Sequence, residues 1–251
     1  MKFPSDKFDK HAFEARWRER FKSFANGADD DAGIAGWSAT GLETRLRNFS
    51  RLWGGASPNA LWLDAGCGAG TYTRFLAKHG ALALGLDYSL PSVIKAKERD
   101  NANCSWGVAD VTRLPVKPGS FDGALCFGVV QALADARPAI QELAAAVKPG
   151  GEVWVDALNA GCLLHMATRT WRRIQGKPPH ERYESPGQLR RLMRDAGLDE
   201  VRLHWLPILP SRWYRYQWLL ETRSMAWVLR FVPLLGRLFS HAFVVSGRKR
   251  R

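Results

Sequence analysis

The sequence has no CxxC pair, no long uninterrupted apolar run and, over its last third, little negative charge. Its four cysteines, Cys67, Cys104, Cys126 and Cys162, are scattered, so neither a disulfide framework nor a zinc site is expected and no metal is called for. They read as buried, reduced thiols in a cytoplasmic protein. Met1 to Lys22 alternates charges with aromatics and lacks an apolar h-region, so export on a secretory signal is not expected. The apolar stretch 225–239 is interrupted by Arg230, Pro233 and Arg237, which speaks against a membrane span. Internal repeats are absent too, while 251 residues at 46% hydrophobic and 24% charged exclude disordered and fibrous classes.

What is present in excess is positive charge, and it is local. The chain carries 37 Lys and Arg against 24 Asp and Glu, net +13. Residues 1–160 hold 19 basic and 18 acidic side chains, whereas residues 161–251 hold 18 and 6, a net of +12 in the final third. Such a cationic segment attracts nucleic acid or an anionic membrane surface.

From Asn59 to Leu158 short apolar runs alternate with helical stretches, the pattern of βα units building a parallel sheet. Strands are predicted at 60–65, 82–87, 104–109, 121–127 and 151–157, and two more at 199–206 and 241–247. A helix is predicted over 135–147, capped by Asp135 and stopped by Lys148-Pro149-Gly150-Gly151, and another from Ser185-Pro186 to Gly197. The seven strands imply an α/β, doubly wound Rossmann-like domain over 51–251. Two segments stand outside it. Residues 1–50, amphipathic over Phe8 to Phe24 and broken at Asn26 to Gly36, read as a helical lid. Residues 207–240, rich in Trp, Leu and Arg, read as an aromatic and basic helical insertion before the last strand.

The chemistry-bearing motif is Leu61-Trp62-Leu63-Asp64-Ala65-Gly66-Cys67-Gly68-Ala69-Gly70, an apolar strand closing on a GxGxG turn that opens a helix at Thr71. Glycine admits the tight turn and a close approach of main chain to ligand. Thr71 stands where a dinucleotide fingerprint has its third glycine, so a nicotinamide site is not indicated. Asp87 ends the second strand, where a carboxylate can accept both hydroxyls of an adenosine ribose. Asp110 follows the third, within reach of an adenine amine.

These segments, with LDYS, GVADVTRLPVKPGSFDGALCF and LAAAVKPGGEVWVDA, resemble the motifs of class I S-adenosylmethionine-dependent methyltransferases, in the group that includes ubiquinone and menaquinone methyltransferases of small molecules. The resemblance implies a strand order of 3-2-1-4-5-7-6 with the last strand antiparallel, and S-adenosylmethionine as cofactor. It implies that Asp64, Gly66, Cys67, Gly68 and Gly70 surround the methionine moiety, Asp87 and Tyr88 the ribose, and Asp110 and Val111 the adenine. Phe127 would follow the fourth strand beside the sulfur. Tyr72 reads as a wall of the same site.

Relatives of that group often carry a histidine in an LEHL-like pattern after strand four. Here the stretch is Val130-Gln131-Ala132-Leu133, so Ala132 takes its place and no general base is identified. His165, His180 and Tyr183 are the remaining candidates for catalysis, and a loop histidine is more commonly just solvated.

For the basic third, Arg212, Arg215, Arg223, Arg230 and Arg237 fall within an arc of roughly 80° on one helical wheel, with Trp213, Leu220, Trp227, Phe231 and Leu238 beside them and a break of the helix expected near Pro233. That is the pattern of an interfacial helix, and equally of a cap over a substrate pocket. The expected activity is methyl transfer to a hydrophobic small molecule or lipid-like acceptor, on oxygen before carbon or nitrogen, with an anionic membrane surface as possible partner. An RNA or DNA methyltransferase is the alternative, although neither an Asn/Asp-Pro-Pro-aromatic nor a Pro-Cys motif follows strand four. A non-catalytic cofactor-binding or membrane-docking protein is the other. Acceptor, oligomeric state and pathway are not legible.

Overall fold

The computed structural model describes residues 9–100, 104–179 and 181–251. Phe8 and His180, both invoked above, lie outside them. Seven strands form one sheet: β1 (Leu61–Ala65), β2 (Leu82–Asp87), β3 (Cys104–Val108), β4 (Phe121–Cys126), β5 (Val147–Leu158), β6 (Leu198–Leu206) and β7 (Ala242–Lys249). Their order is β3-β2-β1-β4-β5-β7-β6, as expected. β1 to β5 pair in parallel, and β7 runs antiparallel to both β5 and β6.

Side chains alternate across a strand, and this divides the core. Leu63, Ala65, Ala124, Cys126, Val153, Val155, Phe243 and Val245 pack on one face against α6 (Arg137–Ala146) and α8 (Pro186–Asp195). The intervening residues Trp62, Leu125, Phe127, Trp154 and Val244 pack on the other, against α3 (Ala39–Leu52) and α4 (Thr71–Lys78). Phe49 of α3 is fully buried there, its ring 5.4–5.9 Å from those of Trp53, Tyr72, Phe75, Phe127 and Trp154. The boundary drawn at residue 50 therefore falls inside a helix that is also a layer of the sheet domain. Ahead of α3 come α1 (Lys10–Gly27) and the single turn α2 (Asp31–Ile34).

Serine caps fix several helix starts: Ser38 accepts from the Gly41 amide at 3.1 Å, Ser89 from Ser92 at 3.4 Å ahead of α5 (Leu90–Glu98), and Ser185 from Gln188 at 3.2 Å. Asp135 is not the cap of α6. That role falls to Ala136, and the Asp135 carboxylate accepts instead from the Arg137 amide at 3.0 Å. The Lys148–Gly151 segment does more than stop the helix, since β5 begins at Val147 and its register shifts opposite Phe121 and Gly123.

The segment after β5 contributes α7 (Leu163–Ile174). The insertion between β6 and β7 is helical, but it is not one helix. A 3-10 turn over Ser211–Tyr216 leads into α9 (Gln217–Leu220), α10 (Arg223–Phe231) and α11 (Pro233–Phe239). The five arginines therefore do not share a single wheel: caps at Thr222 and Val232–Pro233 reorient the axis between them. Among the described residues, no helix is long and apolar enough to cross a membrane.

Trp106 of β3 shows how tightly the sheet and α4 are fitted. A Cβ at Gly85 would lie 2.7 Å from the Trp106 ring and 2.9 Å from Thr73 Oγ1. Gly85→Val is expected to lower stability by about 1–3 kcal/mol through overpacking, read as a shift of the urea midpoint; an unchanged midpoint refutes this fit.

Candidate functional site

The carboxyl ends of β1, β2, β3 and β4 open into one cavity, at the switch point where ligands collect in open α/β sheets. Its floor is the glycine loop. Gly66 holds φ +83°, and a Cβ there would stand 2.1 Å from Val129 of the loop after β4, so only glycine lets the two loops meet. The Gly66 and Cys67 amides both donate to the Leu86 carbonyl, at 2.7 and 3.0 Å, and the Gly68 amide donates to Asp87 Oδ2 at 2.8 Å.

Eight of the ten expected cofactor-contacting residues, Gly66, Cys67, Gly68, Asp87, Tyr88, Asp110, Val111 and Phe127, line this cavity, with Tyr72 beside them. Asp87 accepts the Gly68 amide on one oxygen and the Ser89 amide on the other, leaving a further lone pair on each. Burial pushes its carboxyl up from the ordinary value, against those two amide donors. Asp110 is fixed by the Thr112 amide and hydroxyl on Oδ1.

Asp64 and Gly70 do not line the cavity. Asp64 is fully buried on the α4 side of β1, and Thr73 Oγ1 donates to it at 2.6 Å, tying strand to helix. Burial raises its pKa to about 7. Gly70 begins α4 at φ +82° because the Trp106 ring occupies the place of a side chain, 2.3 Å from an ideal Cβ. Both residues shape the loop from behind. Cys67 is no nucleophile either, since burial and the Asp87 and Asp64 charges push its thiol well above its usual pKa.

Further walls come from the N-terminal segment, to which the sequence reading gave no cofactor contact. Arg18 of α1 pairs with Asp110 at 2.7 Å and lies 4.5 Å over the Tyr88 ring. Asp31 of α2 accepts Thr71 Oγ1 at 2.5 Å and pairs with Arg74, clamping α2 over the start of α4. Its only sequence signal is the acidic run Asp29–Asp31. Ala132, in the place of the absent histidine, packs beneath Phe13 and Trp17, so α1 fills the space that such a side chain would take. Tyr72 Oη and Trp17 Nε1 are both buried with no hydrogen-bond partner, and both residues line the cavity.

A second cavity adjoins the first and shares Trp17, Phe21, Ala35 and Trp37 with it. Trp37 stacks beneath the Arg45 guanidinium at 4.3 Å and covers Gly128, whose absent Cβ would be 2.4 Å from its ring. Arg45 in turn meets the buried Asp156 at 3.4 Å, and Asp156 accepts the Gly128 amide at 2.6 Å. Leu158, Leu164, Ile208, Leu209 and Pro210 supply apolar walls; Glu181 and His241 add polar ones. His165 and Tyr183 line neither cavity. His165 is buried on α7 behind His241, its pKa lowered chiefly by that burial, and Tyr183 packs against it at 4.8 Å with its hydroxyl on Glu181. No group of side chains suited to a metal occurs among the described residues.

Residues 63–155 match a family model described as a methyltransferase domain. A biotin biosynthesis bifunctional protein of Cellvibrio japonicus is 29% identical over 136 residues, 54% of this chain and 27% of that one. A ubiquinone biosynthesis O-methyltransferase of Coxiella burnetii is 27% identical over 158 residues, 58% of this chain and 68% of that one. The chain thus spans about a quarter of the first and two thirds of the second. Among solved structures, a phosphoethanolamine N-methyltransferase of Haemonchus contortus in complex with S-adenosylhomocysteine shares the fold at TM-score 0.65 and 18% identity, covering 92% of this chain and 61% of that one. The first cavity fits such a ligand chemically: two carboxylates with free lone pairs stand at the strand ends, and the orphaned Tyr72 hydroxyl and Trp17 N–H lack the partners that a polar ligand would supply.

Asp64 gives the site a testable electrostatic signature. Its folded pKa, about 7, lies above the ordinary 3.8, so the folded state holds a proton that the unfolded state loses between those values. Stability from this group is greatest below pH 4 and falls as pH rises to about 7, by up to about 4 kcal/mol. Asp64→Asn is expected to flatten that part of the wild-type stability–pH curve; parallel curves for the two proteins refute it.

Proposed function

We propose that this protein is an S-adenosylmethionine-dependent methyltransferase that acts on a hydrophobic small-molecule or lipid-like acceptor, on oxygen in preference to carbon or nitrogen, a reading supported by the match of residues 63–155 to a methyltransferase-domain model. The observation that carries the reading is the pair of adjoining cavities, one at the strand ends with Asp87 and Asp110, the other beyond Trp37 with apolar walls from Leu158, Leu164, Ile208, Leu209 and Pro210 beside the polar Arg45, Gln131, Glu181 and His241. In this reading Asp87 and Tyr88 hold the ribose, Asp110 and Val111 the adenine, and Gly66, Cys67 and Gly68 the methionine portion, with Phe127 at its reactive end. The bound cofactor supplies an electrophilic methyl group on a sulfonium. The protein's share is to orient the acceptor and exclude water. Arg18, Trp17 and Asp31 close the first cavity over the cofactor, while Trp37 and Arg45 set the passage between the two.

The same reading gives the basic third a role in delivering the acceptor. α7 and the insertion carry Leu164, Trp171, Ile174, Trp218, Trp227, Phe231, Leu234 and Phe239 exposed to solvent. The single acid of the insertion, Glu221, is taken by Arg47 and Arg51 at 2.8 and 3.3 Å, and Arg212, Arg215, Arg223, Arg230 and Arg237 form no ion pair among the described residues. Leu164 of α7 and Ile208–Ser211 of the insertion both border the second cavity. Exposed aromatics interleaved with unpaired arginines suit an anionic membrane surface, from which a lipophilic acceptor enters directly.

Calorimetric titration is expected to show micromolar binding of S-adenosylmethionine and S-adenosylhomocysteine, weakened at least tenfold in Asp87→Ala; no binding by the wild type overturns the reading. Vesicles containing phosphatidylglycerol should retain the protein where phosphatidylcholine vesicles do not, and Trp227→Ala with Phe231→Ala should release it. Retention by RNA in preference to both kinds of vesicle defeats the membrane assignment and favours a nucleic-acid substrate.

A further inference from the structure

The second cavity is bordered by a histidine that is held in one tautomer by its neighbours. His165 Nδ1 lies 3.0 Å from the Asn159 carbonyl, and His165 Nε2 lies 3.0 Å from His241 Nδ1. A carbonyl oxygen only accepts, so His165 carries its proton on Nδ1. The neutral ring then offers a lone pair at Nε2, and that lone pair requires a proton on His241 Nδ1. By elimination, neutral His241 has its own Nε2 unprotonated. His241 forms part of the wall of the second cavity, whereas His165 does not. The relay Asn159–His165–His241 therefore begins at a backbone carbonyl that cannot change state and ends in a basic nitrogen on a ring bordering the cavity.

We propose that His241 is the general base for the acceptor hydroxyl, and that His165 is a positioning residue that fixes the His241 tautomer. The inference deepens the methyltransferase reading and rests on it. The hydroxyl proton passes to His241 Nε2, giving an imidazolium with protons on both nitrogens, while the acceptor oxygen keeps the electron pair of its O–H bond and would form the new oxygen–carbon bond with it as the methyl carbon–sulfur bond breaks and its pair leaves on sulfur, turning the sulfonium into a neutral thioether. The negative charge growing on that oxygen is met by Arg45, which lines the same cavity.

The surroundings keep the base ready. Burial and the charge of Arg45 hold His241 well below the ordinary histidine pKa, and burial does the same for His165. The charged and titratable groups around the pair are Arg45 and Asp156 from the side of α3 and β5, His165 and Arg169 from α7, and Glu181 and Tyr183 from the following loop. Both rings are thus neutral at physiological pH, the form in which an imidazole accepts a proton. Sequence reasoning passed over His241 because it reads as the first residue of a strand. The partner that gives it a role lies 76 positions away on another element.

The test is nitrogen NMR of the histidine rings in the full, cofactor-free chain. His241 is expected as a single neutral tautomer with its proton on Nδ1 at pH 7, protonating only well below pH 6.5. His165→Gln, which keeps an acceptor for that proton, should preserve the tautomer, and His165→Phe should release it to a mixture. Millimolar 4-pentylphenol should shift His241 Nε2 more than any other ring nitrogen. In His241→Gln, methyl transfer to the same phenol should fall about 10²–10⁴-fold with cofactor affinity unchanged. A charged His241 at pH 7, a proton on its Nε2, no response to the phenol, or a wild-type rate in His241→Gln each overturns the proposal. Failure of the cofactor to bind would instead sink the methyltransferase reading, and the NMR arms do not depend on it.

Discussion

The buried carboxylate of Asp156 is the joint on which the functional end of the molecule depends. It stands on β5, on the face that carries α3, and it is almost completely removed from water. A charge there costs far more than it returns unless it is paired and hydrogen-bonded. Asp156 meets that demand twice, with the Gly128 amide at 2.6 Å and the Arg45 guanidinium at 3.4 Å. The first contact fixes the loop after β4, which forms one wall of the first cavity. The second draws α3 onto the sheet and puts Arg45 over Trp37, the partition between the cavities. One carboxylate thus fixes the relation between the two chambers.

α3 has a second anchor in Phe49, which is packed edge-on against Tyr72, Phe127 and Trp154. The N-terminal segment is accordingly of two kinds. α3 is held by apolar burial and a buried ion pair. α1 and α2 are held over the first cavity by the partly exposed ion pairs of Arg18 and Asp31 and by the apolar packing of Phe13 and Trp17 on Ala132. Ion pairs as exposed as Arg18–Asp110 are individually weak.

The missing histidine after β4 has a structural counterpart. Ala132, at the position where the resembled pattern has a histidine, packs with Phe13 and Trp17 of α1. In the proposed reading the base has moved to the far wall, to the first residue before β7, and is oriented by α7. Leu164 of α7 and Ile208–Ser211 of the insertion border that same chamber, so the two segments that carry the exposed aromatics also contribute to its walls.

The sequence by itself determined the seven strands, the glycine loop and the acids at strand ends, because these rest on local signals, apolar runs bounded by turn and cap residues; the strand order followed from the resemblance to the methyltransferase group. Of the residues it assigned to the cofactor, Asp87, Asp110 and most of the loop face the first cavity. It misplaced Asp64 and Gly70, since one-dimensional spacing says which element a residue occupies but not which side of a loop its neighbours fill; Thr73 and Trp106 claim those two positions. It read five arginines onto one wheel because a wheel assumes a straight axis, and the insertion turns between them. Arg18 over Asp110, Arg45 on Asp156 and His165 behind His241 were decided only by the tertiary structure. Each joins residues 76 to 111 positions apart, and pairings at that range are set by how whole elements pack, which no local pattern encodes.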